Sequence, residues 1–567
     1  MRYKTSNPSI GEAGQESGDE PFAGIDEKTL DPGLMKPGTY RKGLNVRILN
    51  GNLATRGGLT KASSFNPVSY GKIYGRGYFV DPQTNISWLL VATSSQVWAV
   101  AYGYNPKSIL YPPTIILQGP VDLVSAYGVV ILFFGPGITE LFWDGTWGQP
   151  FGELPGPIPG YVSIPPAETA EFISDRIVVP YKVDSLAVSN IGDFTSFSTF
   201  FNNFNINQGE GDLLVRCMEW NRGTALFFKS RSIYLAENFF GDLSQMILNR
   251  VTKGRGLVGR RAAVLVGNDF FFVSPGEICR MKQIFQDSPE VLALPISEPI
   301  YNTMKDINWA AGDKIIAQCR KDRVYFAVPM GTEKRNNVLL VYNIVNEGWE
   351  SIDIFTNNPS YTVGGGIILG PVVHIDDIVE MPYNGERRLF AIDYLVGAIY
   401  LMEDESSVDY FSTAAGGGSQ IYTHFLSRGY AGGSLYSNYR HLRLGLATWH
   451  PNFSVNCYSS GIGAKQSLAK NITKPKTKYY GFGIPDWDTT NSKDDWGNRG
   501  RKDYSVTLPI RIGSGIYLDL KQDFIESYAI RSPGKYAQIE VINTQGAIEI
   551  REIDFESWEV QRGDRVV

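Results

Sequence analysis

The chain has 567 residues, is 43% hydrophobic and 13% aromatic, holds 60 glycines and carries a net charge of −5. At roughly 100–200 residues per domain that length allows about two to four domains, and the apolar share excludes wholesale disorder. The acidic balance excludes a general nucleic-acid coat, which needs a basic face, and suits a conduit wall that does not hold its cargo.

Residues 1–40 are polar and rich in glycine, proline and acids, and read as an extended arm, with no apolar secretory segment. From Gly43 to Leu59 two alternating stretches flank Asn50-Gly51. Asn-Gly between alternating apolar positions predicts a β-hairpin, because both turn residues must take positive φ.

A period then sets in. Units begin near Arg76, Val121, Ala167, Leu213, Ala262, Lys314 and Gly385. The spacing, roughly 45–50 residues for most steps, falls in the range of propeller blades. Each unit repeats an apolar strand, a Gly/Ser/Asp turn and a second short strand. Examples are Val129–Phe134 with Thr139–Trp147, Asp269–Val273 with Glu277–Met281, and Arg323–Val328 with Asn337–Asn343. One such sheet cannot bury both faces alone, whereas blades stacked about an axis bury each face on a neighbour. The predicted fold is all-β, a propeller of about six or seven blades over residues 41–405.

The Gly/Ala-rich stretch from Ser412 to Gln420 marks a boundary. Residues 406–567 show longer alternating strands, such as His441–Trp449 and Ala547–Phe555, and predict a β-sandwich with a polar insertion at 461–502.

Little in the sequence carries chemistry. GxSxG, Walker A, HExxH and EF-hand patterns are missing, and no enzyme or cofactor is expected. Paired carboxylates for glycoside hydrolysis are not selected by any spacing among the 58 acids. Cys217, Cys279, Cys319 and Cys457 form no CxxC pair and read as buried free thiols. Asp486, Asp488, Asp494 and Asp495 cluster in the insertion, and hard carboxylate oxygens in a loop suit Ca²⁺, although solvation is the commoner fate of such a cluster. Lys465, Lys470, Lys474, Lys476 and Lys478 form the most basic stretch, a candidate contact for DNA, phosphate or a membrane surface, against a solvated loop. The segment Lys253–Arg261 is rich in glycine and arginine, but a strand follows it, so an inter-blade turn is expected rather than a phosphate cradle. Trp143-Asp-Gly-Thr-Trp147 lacks the Ser/Thr and the spacing of a sialidase Asp-box and reads as a blade turn.

Five segments, in order, resemble the β-propeller tail nozzle proteins of short-tailed bacteriophages. They are Asn45–Leu59, Phe172–Phe197, Gly256–Ile278, Arg323–Trp349 and Gly534–Val541. In the second, Phe194 stands where that family often has proline. The resemblance implies a virion tail protein, made in a bacterial cytoplasm and assembled as a homohexameric ring. It further implies a tail adaptor above, tail fibres at the side, double-stranded DNA in the lumen and the host cell surface at the distal end. The alternative expectation is a propeller glycosidase, lyase or glycan-binding adhesin acting on that surface.

Overall fold

The computed structural model describes residues 13–17, 21–62, 71–135, 138–198, 202–209, 211–221, 223–283, 291–355, 373–404, 408–410, 418–431, 437–460, 465–467, 510–512, 516–518 and 522–559. They fall into two compact units. One comprises residues 24–28 and 57–419, the other residues 1–23, 29–56 and 420–567. The sequence reading set its boundaries at 40/41 and 405/406, and the compact units divide at 56/57 and 419/420.

The larger unit is a seven-bladed β-propeller. Six blades are meanders of consecutive antiparallel strands, with first strands Ile73–Val80, Asp122–Ala126, Glu171–Ile173, Leu214–Asn221, Ala263–Val266 and Ile316–Arg320. The seventh is built from Asp377–Tyr383, Glu386–Asp393 and Ala398–Asp404, and its outer strand is Gly58–Lys61, brought from the other end of the chain. Six of the seven blade starts lie within a few residues of the positions that the sequence period gave. The seventh starts at Asp377 rather than Gly385. Gly385 is instead the turn between the first two strands of that blade, with φ 80°.

The apolar repeats fill the spaces between blades. Leu90, Val97, Val130 and Trp143 pack blade 1 on blade 2, and Val178, Leu186, Phe227 and Tyr234 pack blade 3 on blade 4. Leu89 and Val91 of blade 1 meet Phe390 and Ile399 of blade 7, so the ring is closed. Hydrogen bonds between neighbouring blades recur at the blade period. Arg216–Glu171, Lys229–Asp184 and Ser174–Glu219 each span 45 residues, Thr169–Asp122 spans 47 and Trp220–Asn268 spans 48. The sequence period is thus the register of one blade on the next.

Two glycines of the first blade are required by close approach. A Cβ on Gly75 would overlap the Val121 carbonyl oxygen, and one on Gly77 would sit 2.5 Å from the Leu123 Cβ. Blade 2 therefore rests directly on the backbone of blade 1.

The second unit is organised on two long antiparallel strands, Ser437–Ser459 and Tyr536–Glu559, paired from Ser437↔Glu559 to Ser459↔Ala537. Gln522–Gly534 pairs with the free side of the first. Ala13–Ser17, Asn52–Thr55, Thr423–Ser427 and Tyr430–Ala431 line the free side of the second. The expected hairpin is present as Val46–Leu49 and Asn52–Thr55, with Asn50 at φ 52° and Gly51 at φ 82°. It belongs to this unit and not to the propeller, because its second strand is edge-paired with Glu549 and Ile550. Part of the presumed N-terminal arm is likewise strand here. Among the described residues these ladders join the strands into one network, and the expected sandwich is not confirmed. Leu442, Leu444, Val455, Ile539, Ile553 and Phe555 are buried along the long pair.

Candidate functional site at the propeller centre

Residues from blades that are not neighbours can touch only at the centre of a ring. Arg260 and Arg261, in the turn that enters blade 5, do so on both sides. Arg261 Nη1 donates to Asp377 of blade 7 and, at 2.6 Å, to the Tyr394 hydroxyl. Arg260 bonds the Glu168 carboxylate and carbonyl just before blade 3. The glycine-rich segment is an inter-blade turn followed by the strand Ala263–Val266, as expected, and its arginines form the hub of this centre.

Asp377 is the main acceptor. Its side chain is fully buried. It accepts from Arg76 Nε at 2.8 Å, from the Tyr394 hydroxyl at 2.7 Å and from the Ile378 amide at 2.9 Å, besides Arg261. Burial alone would raise its pKa, but Arg261 and Arg76 outweigh this and hold the carboxyl below its ordinary range. Burial pushes the Tyr394 hydroxyl up, and raises Tyr78 to about 12. Both phenols stay neutral donors, and Tyr78 donates to the Glu380 carbonyl at 2.7 Å.

Farther round, Thr169 Oγ1 donates to Asp122 at 2.5 Å, and Arg216 Nε donates to Glu171 at 2.8 Å. Burial raises the Glu171 carboxyl even beside that guanidinium. The arginines Arg76, Arg216, Arg260 and Arg261 are interleaved with the acids Asp122, Glu168, Glu171 and Asp377. Such a centre binds blades to one another. Asp377 itself is saturated by donors.

The second unit holds a smaller polar knot. Glu540 Oε2 accepts from Asn456 Nδ2 at 2.7 Å and from the Tyr458 hydroxyl at 2.8 Å, while His424 Nε2 lies 2.9 Å from Oε1. Burial would raise this carboxyl, but the donors, His424 foremost, hold it at about 2.

Asp486, Asp488, Asp494, Asp495, Lys470, Lys474, Lys476 and Lys478 are outside the described residues. Lys465 begins a short strand paired with Asn456–Tyr458. Among the described residues no group of three or more His, Cys, Asp or Glu is placed to hold a metal ion. All four cysteines are free thiols; three are buried and Cys319 is partly so. The Trp143–Trp147 segment is a blade turn: Asp144 Oδ1 accepts from the Thr146 amide at 2.8 Å, and Trp143 Nε1 donates to the Thr146 carbonyl. The central cluster was missed because Arg76, Glu171, Arg216 and Asp377 are scattered singly along the chain. Only the Arg260-Arg261 pair left a local signal.

No protein-family model and no curated protein matches this sequence. Among solved structures, the chain is similar to BamB from Moraxella catarrhalis (13% identity, 62% of this chain and 97% of that chain, TM-score 0.33). It is also similar to YCF48 from Cyanidioschyzon merolae (11% identity, 61% and 98%, TM-score 0.35). A third is the BBS1N chain of a complex with ARL6DN (13% identity, 62% and 100%, TM-score 0.37). The propeller class rests on the seven sheets themselves.

Proposed function

We propose that this chain is a structural subunit of a bacteriophage tail nozzle, acting as a closed ring of copies that conducts and gates genomic DNA during ejection. The observation that carries the reading is the place of the family-like segments in the fold. Phe172–Phe197 forms most of blade 3, Gly256–Ile278 enters and builds blade 5, and Arg323–Trp349 builds blade 6. Asn45–Leu59 supplies the hairpin and the start of the blade-closing strand, and Gly534–Val541 runs into the long strand Tyr536–Glu559.

The propeller's own centre is crossed by ion pairs between blades 1, 5 and 7, so no duplex passes along it. The DNA path is the lumen enclosed by several copies, since heterologous contacts that close form rings. Docking to an adaptor ring, to fibres and to the host surface belongs to the same reading. A glycosidase would need two carboxylates free to act on a sugar, and the central acids are held by arginine, threonine and tyrosine, so that second reading gains no support from the centre.

Negative-stain electron microscopy of the purified chain, alone and mixed with the phage's adaptor and portal proteins, tests the proposal. Closed rings that join the adaptor are the expected result. A monomer that ignores both partners at high concentration would overturn it.

A further inference from the structure

Two exposed apolar surfaces of the propeller differ in kind. The first is aromatic. In the turn after the third strand of blade 1, Gln96–Val100, the Tyr104 amide donates to the Ala101 carbonyl at 3.3 Å and Gly103 takes φ 79°. A left-handed glycine at that place is what a type II turn demands. The turn sets Tyr102 against Tyr383 of blade 7, ring centroids 4.3 Å apart, and Tyr104 against Trp88, 5.8 Å apart. Trp147, in the corresponding turn of blade 2, lies 5.1 Å from Trp88. Lys107 Nζ stands 4.0 Å from the centre of the Trp147 ring and 4.8 Å from that of Trp88. Trp88, Trp143 and Phe79 are buried, whereas Tyr102 and Tyr104 are 39% and 50% exposed. The accessible rings are thus fixed on a packed aromatic floor.

The second surface is a proline strip. Leu154-Pro155-Gly156-Pro157-Ile158-Pro159 leaves the fourth strand of blade 2, Gly152–Glu153. Proline fixes its own φ and drives the residue before it to extended backbone, so prolines at 155, 157 and 159 hold the whole run extended. The Tyr161 amide then donates to the Ile158 carbonyl at 3.0 Å, with Pro159 and Gly160, φ 94°, at the centre of the turn. The Ile158 amide donates to Ser196 Oγ at 3.1 Å and Val162 is bridged to Phe197, which fastens the strip to blade 3. Ile158, Tyr161 and Val162 are nevertheless 51%, 38% and 43% exposed.

The two surfaces complement each other. Pre-extended proline segments dock on exposed Tyr and Trp rings because little chain entropy is lost on binding. The charges match as well. Glu153 is exposed at the head of the strip and makes no ion pair among the described residues, and Lys107 meets rings and no carboxylate. Within one copy the surfaces stay apart. Neighbouring strands run antiparallel, so the turn after a third strand and the chain leaving a fourth strand lie at opposite ends of the blades.

We infer that the proline strip Leu154–Val162 of one copy docks on the Tyr102, Tyr104 and Trp147 surface of the next, with Glu153 against Lys107. The contact joins two different surfaces and is therefore heterologous, the kind that closes into a ring. The inference rests on the ring reading above and names the surfaces that build it.

The test is analytical ultracentrifugation of the full chain and two variants, Tyr104→Asp in the aromatic surface and Ile158→Asp in the strip, each checked for an unchanged melting temperature. The wild type is expected as closed rings and each variant alone as a monomer. Mixing the variants is the discriminating step. Each keeps one intact surface, so they should form pairs, one copy of each, that grow no further. Rings that survive both substitutions, or a mixture that stays monomeric, would overturn the inference and leave the nozzle reading standing. A wild type that stays monomeric even with the adaptor overturns the nozzle reading, and a synthetic peptide of Glu153–Val162 then decides the contact. Slowed hydrogen exchange at Tyr102–Lys107 with the peptide, and binding about tenfold weaker to the Tyr104→Asp variant, would uphold it. No protection at millimolar peptide would overturn it.

Discussion

Asp377 gathers two guanidiniums, a phenol and an amide around one buried carboxylate. Removing one partner of a buried ion pair leaves the others uncompensated, at a cost of roughly 3–5 kcal/mol. Asp377→Asn should therefore lower stability by about that amount in urea unfolding, whereas Asp144→Asn, in an exposed turn, should change it by less than about 0.5 kcal/mol. Gly77→Ala would place a methyl 2.5 Å from the Leu123 Cβ. Overpacking of that kind costs about 1–3 kcal/mol, and a lowered melting temperature would report it. Glu540 contributes to the acid dependence of its unit. Its folded pKa of about 2 lies below the ordinary 4.5. Its contribution is thus complete above pH 4.5, where the unfolded chain is already ionised, and is lost as pH falls from there towards 2. That contribution is at most about 3 kcal/mol. Glu540→Gln should flatten the stability profile over that window; an unaltered acid limb would contradict the assignment.

At the scale of elements, one four-residue strand closes the ring. Gly58–Lys61 completes blade 7, and Leu59, 1% exposed, packs beside Tyr325, Leu389 and Tyr400. Leu59→Ala should cost about 2–5 kcal/mol, since it both loses transfer free energy and leaves a cavity. A chain of residues 57–419 keeps this strand, and a chain of residues 63–419 lacks it. The shorter one should melt at least about 5 °C lower and be cut faster by protease in Ala398–Asp404, the strand whose edge is then bare. Equal melting of the two would show that closure does not depend on the N-terminal strand. The blades were legible because each repeats the same apolar strand and turn grammar. The seventh was misplaced by eight residues, because its last strand is distant in sequence and the local period there has no partner to count against.

For the molecule as a whole, composition and period determined the class. Forty-three per cent apolar residues, frequent turn glycines and a repeat near 45–48 residues leave a stack of small sheets as the way to bury every apolar face. The hairpin at Asn50-Gly51 was equally determined, because few residue pairs other than Asn-Gly meet that turn so readily. Tertiary structure alone decided the rest. It assigned the hairpin to the unit built on Ser437–Ser459 and Tyr536–Glu559, through an edge pairing nearly 500 residues away in sequence. It gathered Arg76, Glu171, Arg216, Arg261 and Asp377 at one centre. The physical reason is the range of the interactions. Turn conformation and strand alternation are fixed by neighbours in the chain, whereas ion pairing and edge pairing depend on which blade the closed ring brings alongside.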